Sequence, residues 1–423
     1  MRIAYVIPTY PPASSQPFVV NEMVEVQDAG NTLVVLALYA DDSESVRHGT
    51  FERLRPEHVL PPAILDWRTA CLALWVLVSR PWRVLTTLGA MHRAAGANPY
   101  AHAKLLAVTP KALAAAWRFQ RLGVDHVHAH FANQMADCAA IAGSVAGIPF
   151  SFTAHAYDIF SRVRSLRNET LGWKLRHARR AFAISNFAAE RLRAELPPAE
   201  RDRVCTGYVG IPMPLFRAEP MPPADDGLRL LSVARFQEKK GLDTLLDACA
   251  LLRARGTPFH LTIFGDGPLR PALEEQRTRL GIEDVVTIGP SITQEEVARK
   301  MRASHLFVLP CRQDRTGDMD GIPTVFMEAM ATGRPVVSCP VSGVPELVRD
   351  GETGMLVPSD DPAALADAIV RLAGDDALRT RLGRQARALV ERQHDQRLNA
   401  RRVLTLLGLR APEGVTGDLR PAG

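Results

Sequence analysis

Short apolar strands alternate with helices along most of the chain, and no other feature constrains its fold as much. The first half opens with a strand over residues 2–7 (RIAYVI) and a Pro/Ser loop over 8–17. A helix around 18–29 ended by Gly30 and a second strand over 32–38 follow; 124–128 and 149–153 read as further short buried strands between helical stretches. The rhythm restarts in the second half, with strands over 228–234, 259–264, 285–288, 306–309 and 335–339. Helices over 241–255, 269–280, 294–302 and 324–331 lie between them, and a helical tail runs to about 409. Short strands that are apolar throughout, each followed by a helix, predict parallel sheets covered by helices on both faces. Between the two halves, 211–227 holds five prolines within twelve residues, which continue neither a helix nor a central strand. The expected organisation is an α/β chain of two doubly wound Rossmann-like domains, 1–211 and 228–395, with a linker at 212–227, a helix over 396–410 and a disordered end at 411–423. Two such domains place a cleft between the C-terminal edges of their strands, so ligand-binding chemistry is sought on the loops that follow strands.

Composition narrows the class. With 47% hydrophobic and 23% charged residues over 423 positions, a disordered, collagen-like or disulfide-stapled chain is excluded. The longest clean apolar run, ACLALWVLV at 70–78, is nine residues, about half of what a spanning helix needs. The N-terminus lacks a signal-peptide pattern, and the six cysteines are scattered without a C-x-x-C pair, as expected of free thiols in a reducing cytoplasm.

Charge is unevenly placed. Residues 1–210 carry 23 basic and 17 acidic side chains, whereas the remainder carries 28 and 29. From Trp67 to Val124 there is no Asp or Glu, but there are eight basic residues: Arg68, Arg80, Arg83, Arg93, Lys104, Lys111, Arg118 and Arg121. Trp67, Trp75, Trp82 and Trp117 are interspersed. This mixture suits an anionic lipid surface, and equally a set of core helices with a solvated basic face. No nucleic-acid-binding motif accompanies the charge.

Three loops of the second half carry chemistry. Arg235 and Lys240 bracket the first, FQEKKG, where two cations and a helix N-terminus would hold a diphosphate. The second, IFGDGPLR, sets Gly265 and Gly267 around Asp266, a pattern that suits a tight turn. In the third, GDMDGIPTVFMEAMATGRPVVS, Gly321 and Pro323 set a loop-to-helix junction with Pro at the first helical position, leaving the Thr324 and Val325 backbone N–H groups open to an anion. Glu328 and Asp320, eight residues apart, suit the hydroxyls of a sugar or ribose.

Two metal readings are weighed and set aside. Asp318-Met319-Asp320 is formally a D-x-D, but Arg235 and Lys240 already supply positive charge. His126, His128 and His130 share one strand face, yet no nearby Cys or carboxylate completes a ligand set. A polar strand end lining the cleft is expected instead.

The spacing of Arg235, Lys240, the GDGP turn and the DGIPTVFMEAMATGRPVV string resembles retaining glycosyltransferases of the GT-B fold, in particular their colanic-acid and exopolysaccharide branch. HVHAHFANQMADCAAIAGSVAGIPFSFTAHAYDIF, residues 126–160, is similar to the same branch. The resemblance implies that Arg235 and Lys240 bind the donor diphosphate, with Gly265, Asp266, Gly321, Pro323, Thr324 and Val325 around the donor. Glu328 matches the second Glu of the family's Glu-x7-Glu motif, near the ribose, and His155 matches a His at the reaction centre. Three departures stand out: Asp320 replaces the first Glu, Pro212 follows Gly210-Ile211 where many relatives show Asp, and the first loop, PTYPPASSQPF, lacks the usual Gly-Gly pair. Ser14 and Ser15 in that loop, with His128 and His130, are expected on the acceptor side.

The resemblance implies transfer of a sugar from a nucleotide diphosphate co-substrate to a saccharide acceptor with retention, in exopolysaccharide or capsule biosynthesis, with no further cofactor. It also implies an acceptor-binding N-terminal domain, a donor-binding C-terminal domain, and a last helix packing back on the first domain. The expected acceptor is a saccharide linked to polyprenol diphosphate, and the expected place the inner face of the cytoplasmic membrane. A nucleotide-sugar epimerase and a non-catalytic membrane-associated nucleotide-sugar binder remain as alternatives. A nicotinamide dehydrogenase is disfavoured, because no G-x-G-x-x-G follows the first strand.

Overall fold

The computed structural model describes residues 1–11, 16–40, 49–60, 67–160 and 168–409. The chain divides into two compact units, one of residues 1–210 with 396–423 and the other of residues 211–395.

In the first unit the order is β1 (Arg2–Ile7), α1 (Pro17–Asp28), β2 (Thr32–Ala37), β3 (His58–Leu60), α2 (Trp67–Ser79), α3 (Pro81–Ala94) and α4 (Pro99–Arg121). It continues with β4 (His126–His130), α5 (Gln134–Ala146), β5 (Phe150–Ala154), α6 (Ala156–Phe160), α7 (Leu171–His177), β6 (Arg180–Ala183), α8 (Asn186–Arg193) and β7 (Val204–Thr206). The strands form a parallel sheet in the order β3-β2-β1-β4-β5-β6-β7. Because side chains alternate along a strand, β1 serves two cores at once. Ile3, Tyr5 and Ile7 join one apolar cluster with α1, while Ala4 and Val6 join another with α4 and α5. That double burial is why β1 reads as one continuous apolar run. β4 starts later than its apolar run suggests, because the Val124 N–H closes the end of α4 on the Phe119 carbonyl at 2.9 Å.

The second unit contains β8 (Leu228–Val233), α9 (Leu242–Ala254), β9 (Phe259–Phe264), α10 (Arg270–Arg279), β10 (Val286–Gly289), α11 (Gln294–Ala303) and β11 (Leu306–Val308). Then come α12 (Thr324–Ala331), β12 (Val336–Ser338), α13 (Val344–Leu347), β13 (Gly354–Leu356), α14 (Pro362–Ala373) and α15 (Asp376–Gln393). Its parallel sheet has the order β10-β9-β8-β11-β12-β13. The Pro-rich 212–227 segment runs over this unit: Phe216 is fully buried, and Arg387 and Arg334 donate to the carbonyls of Phe216 and Glu219 at 2.7 and 2.9 Å.

The last helix, α16 (Gln396–Leu406), belongs to the first unit and buries Val403 and Leu404 in the cluster beside α1. Among the described residues no helix is long and apolar enough to cross a membrane. The acid-free stretch forms α2, α3 and α4, and the structure removes some of its cations from any outer surface. Lys111 is buried, its ammonium donating to the carbonyls of Ala37 and Leu38. Arg80 and Arg83 both donate to the Val145 carbonyl near the end of α5, at 3.3 and 3.4 Å.

Candidate active site

Each sheet reverses its strand order once, between β1 and β4 in the first unit and between β8 and β11 in the second. Loops leaving the carboxyl ends of strands at such a reversal splay apart and leave a crevice for a ligand. Arg235, Lys240 and Asp320 follow the two strands at the second reversal, and His130 ends a strand at the first.

In the second unit Arg235 and Lys240 follow β8, and Asp318 to Pro323 lie between β11 and α12. The two segments are joined by ion pairs: Lys240 Nζ lies 2.6 Å from Asp320 Oδ2, and Lys239 Nζ lies 2.8 Å from Asp318 and 3.5 Å from Asp320. Burial alone would lower the Lys240 ammonium, but Asp320 outweighs it and raises it. Burial would likewise raise the Asp320 carboxyl, and Lys240 with Lys239 pulls it down instead. Both members of the D-x-D are therefore engaged by lysines, so a divalent ion there would have to displace them. Arg235 is exposed and its guanidinium has no hydrogen bond or ion pair among the described residues; its charge bears on Lys240.

The Gly265-Asp266-Gly267 turn packs against the start of the Arg235 loop. A Cβ on Gly265, at φ 151°, would come 1.8 Å from the Ala234 carbonyl oxygen, so only glycine permits the approach. Asp266 accepts from the Gly267 N–H at 2.8 Å and from Arg270 at 3.0 Å, so its carboxylate holds the turn. Pro323 caps α12 rather than opening it, one position earlier than the sequence suggests, and the helix begins at Thr324. The first N–H groups of any helix have no partner within it, so Thr324 and Val325 offer theirs to an anion.

Glu328 points into this unit's interior, accepting from Gln294 Nε2 at 3.1 Å. Burial pushes its carboxyl from the usual 4.5 up to about 7, against a smaller downward pull from Gln294. Between those pH values the folded chain keeps a proton that the unfolded chain has lost, so this group's contribution to stability falls as pH rises from 4.5 to 7 and is level above. The change amounts to about 3 kcal/mol at most. Glu328→Gln is expected to flatten that slope, as read by denaturant unfolding at pH 5 and pH 8.

In the first unit His130 ends β4, and His155 directly follows β5. Asp158 Oδ2 accepts from the backbone N–H groups of Ala132 at 2.8 Å and His155 at 3.2 Å, fixing both loops. Burial lifts the Asp158 carboxyl to about 6 despite these bonds. From the other side Lys174 donates to the Ala132 carbonyl at 2.6 Å and pairs with Asp137 at 2.7 Å. His155 packs between Phe18 and Phe131, with ring centroids at 4.8 and 4.6 Å. Burial first, and His130 second, hold it well below the usual imidazole range, so it is neutral at physiological pH. Its Nε2 lies 3.5 Å from His130 Nδ1. His128, by contrast, is buried against Ser151 and Thr153, and burial lowers it to about 4. Ser14 and Ser15 lie outside the described residues.

One expectation from sequence is overturned. A carboxylate does complete the histidine set: Glu22 Oε1 lies 3.4 Å from His130 Nε2 and 3.7 Å from His128 Nε2. Glu22, His128 and His130 each offer one ligand atom within 4.8 Å of the others, a group able to hold a metal ion. His126 stands apart, bonded to Ser151 at 2.7 Å. The Tyr5 hydroxyl donates to Glu22 at 3.0 Å. Sequence reasoning missed Glu22, although the signal is present: an acid on the largely buried face of α1.

Two parallel, doubly wound sheets with flanking helices make this a GT-B fold, the architecture of one large class of glycosyltransferases. HepE of Anabaena, solved in complex with UDP, superposes with a TM-score of 0.71 over 96% of this chain and 100% of its own, at 17% identity. Sucrose-phosphate synthase from Thermosynechococcus elongatus gives 0.69 over 96% and 98%, at 20% identity. The glycosyl transferases group 1 model matches residues 227–375, and the Glycosyltransferase Family 4 model matches 76–212. The amylovoran biosynthesis glycosyltransferase AmsK of Erwinia amylovora is 32% identical over 94% of this chain and 97% of its own. WcaL of Escherichia coli, named for colanic acid biosynthesis, is 29% identical over 96% and 99%. The chain belongs to the group 1 glycosyl transferases and is a glycosyltransferase.

Proposed function

We propose that this glycosyltransferase moves a hexose from a UDP- or GDP-sugar to a saccharide linked to polyprenol diphosphate, with retention of anomeric configuration, in exopolysaccharide or capsule biosynthesis at the inner face of the cytoplasmic membrane. The observation that carries the reading is the Lys240–Asp320 contact, which gathers two cations and the open end of α12 at one strand-order reversal. Departure of the nucleoside diphosphate builds negative charge, and Arg235, Lys240 and the Thr324 and Val325 amides answer it as preorganised donors. Ionised, Glu328 accepts hydrogen bonds from the ribose hydroxyls. Neutral His155 positions the transferred sugar, and the leaving phosphate takes the acceptor's proton on the same face. The names of AmsK and WcaL support the polysaccharide context, and the UDP held by HepE supports the donor class. The test is incubation with UDP- and GDP-sugars and a membrane extract, followed by NMR assignment of the product anomer. An inverted linkage, or donor consumption without any acceptor, would overturn the reading.

Because Asp318 and Asp320 are already neutralised by Lys239 and Lys240, transfer is expected to persist in excess chelator. Activity lost to chelator and restored by magnesium or manganese would place a divalent ion on the diphosphate instead.

A further inference from the structure

A cavity in the first unit, about 430 Å³ including its open mouth, is bordered by His155, His130, Glu22 and Phe18 on one side and by Gln396 and Asn399 of α16 on the other. Gln396 is seated there by a close backbone approach: a Cβ on Gly210 would come 2.3 Å from the Gln396 Cα.

The two amides are oriented by their other partners. Gln396 Nε2 donates to the Glu25 carboxylate at 2.7 Å, and a carboxylate takes only a donor, so the oxygen Oε1 is the atom left over. Asn399 Oδ1 accepts from Arg402 at 3.1 Å, which leaves the amide nitrogen Nδ2. Gln396 Oε1 and Asn399 Nδ2 have no hydrogen-bond partner among the described residues, and the two side chains are 7% and 5% exposed. Buried polar atoms are costly unless paired, so two on one cavity wall point to a partner that enters it.

We propose that this cavity seats the terminal sugar of the acceptor, a neutral pyranose held by Gln396 and Asn399. The assignment rests on the glycosyltransfer proposed above. A sugar hydroxyl is donor and acceptor at once, so neighbouring hydroxyls satisfy an amide oxygen and an amide N–H together. Phe18 supplies an apolar face for the ring's C–H groups. Charge decides against a phosphate or a uronate: Glu22 borders the cavity, and no Lys or Arg is among the described residues lining it. A cation would satisfy Gln396 Oε1 but not the Asn399 donor.

Saturation-transfer NMR on the full chain, with methyl α-glycosides of glucose, galactose, mannose and fucose as probes, tests the proposal. At least one glycoside is expected to bind, and to bind about three- to tenfold more weakly to Asn399→Asp and to Gln396→Leu, the loss of one neutral hydrogen bond in each. Calorimetry with UDP and GDP on the same samples reads the second unit and should be unchanged in both variants. A parent that binds nucleotide but no glycoside, or variants that hold the glycoside as tightly as the parent, overturns the cavity assignment alone. A parent that binds neither nucleotide overturns the donor reading as well.

Discussion

Arg235→Ala is expected to weaken nucleotide-sugar binding ten- to hundredfold while leaving the unfolding midpoint where it was. A charge-assisted hydrogen bond contributes about 1.5–3 kcal/mol, which corresponds to that loss. Arg235 is the clean probe because it is exposed and its side chain engages no partner among the described residues, so truncating it strands nothing. Lys240→Ala should cost a similar factor in affinity for a mixed reason. It removes one cation and also deprives Asp320 of a contact at 2.6 Å, leaving Lys239 at 3.5 Å as the remaining counter-charge. Removing one partner of a buried pair destabilises by about 3–5 kcal/mol, and the surviving Lys239 contact keeps the expected cost below that range. The double variant Lys240→Met with Asp320→Asn separates the two effects: it should recover stability without recovering donor affinity. Parental affinity in both Arg235→Ala and Lys240→Ala, measured by calorimetry, would remove the diphosphate from these loops.

The donor loops were legible for a local reason. Arg235, Lys240 and the DGIPT string lie within short segments that follow strands, and an apolar strand announces itself by composition alone. The sheet's reversal points follow from parallel topology, which the strand–helix alternation already implies. What the pattern does not carry is contact across sequence distance. Gln396 and Glu25 are 371 positions apart, and nothing in QRLNARRVLTL marks its first and fourth residues as a cavity wall rather than a solvated face. Glu22 was obscured differently: it is a half-buried acid in a helix whose buried positions are mostly apolar, so amphipathic reading treats it as surface. The histidine alternation did predict a shared face, but not that His128 is buried against Ser151 while His130 reaches the cavity. Charge counting failed at Lys111, whose long stem reaches two backbone carbonyls inside the unit.

Charge reversal at Arg68 and Arg93 is expected to cut attachment to anionic vesicles by about thirtyfold or more, since each basic residue near such a surface contributes about 1 kcal/mol and reversal more than cancels it. These two are exposed, whereas Arg80 and Arg83 support the end of α5 and Lys111 is buried, so reversing the latter three would confuse docking with folding. Apolar surface adds to the charge. Trp67, Trp75, Val78 and Trp82 on α2 and α3 are 69%, 60%, 68% and 78% exposed, and Leu74 and Leu85 are exposed beside them in sequence. Exposed apolar surface on that scale marks an interaction face, and fully burying one such side chain contributes about 1.5–3 kcal/mol. The two terms predict different salt behaviour. Attraction of the basic side chains fades over about 8 Å at physiological ionic strength, so raising salt should remove their share. Insertion of the tryptophans should persist. Sedimentation with vesicles of phosphatidylcholine, with and without phosphatidylglycerol, separates them. The parent chain should bind the anionic vesicles more tightly, Arg68→Glu with Arg93→Glu should abolish that preference, and Trp75→Ser with Trp82→Ser should weaken binding to both. A parent chain that sediments with neither kind of vesicle would leave these helices as a solvated face and return the acceptor to the aqueous phase.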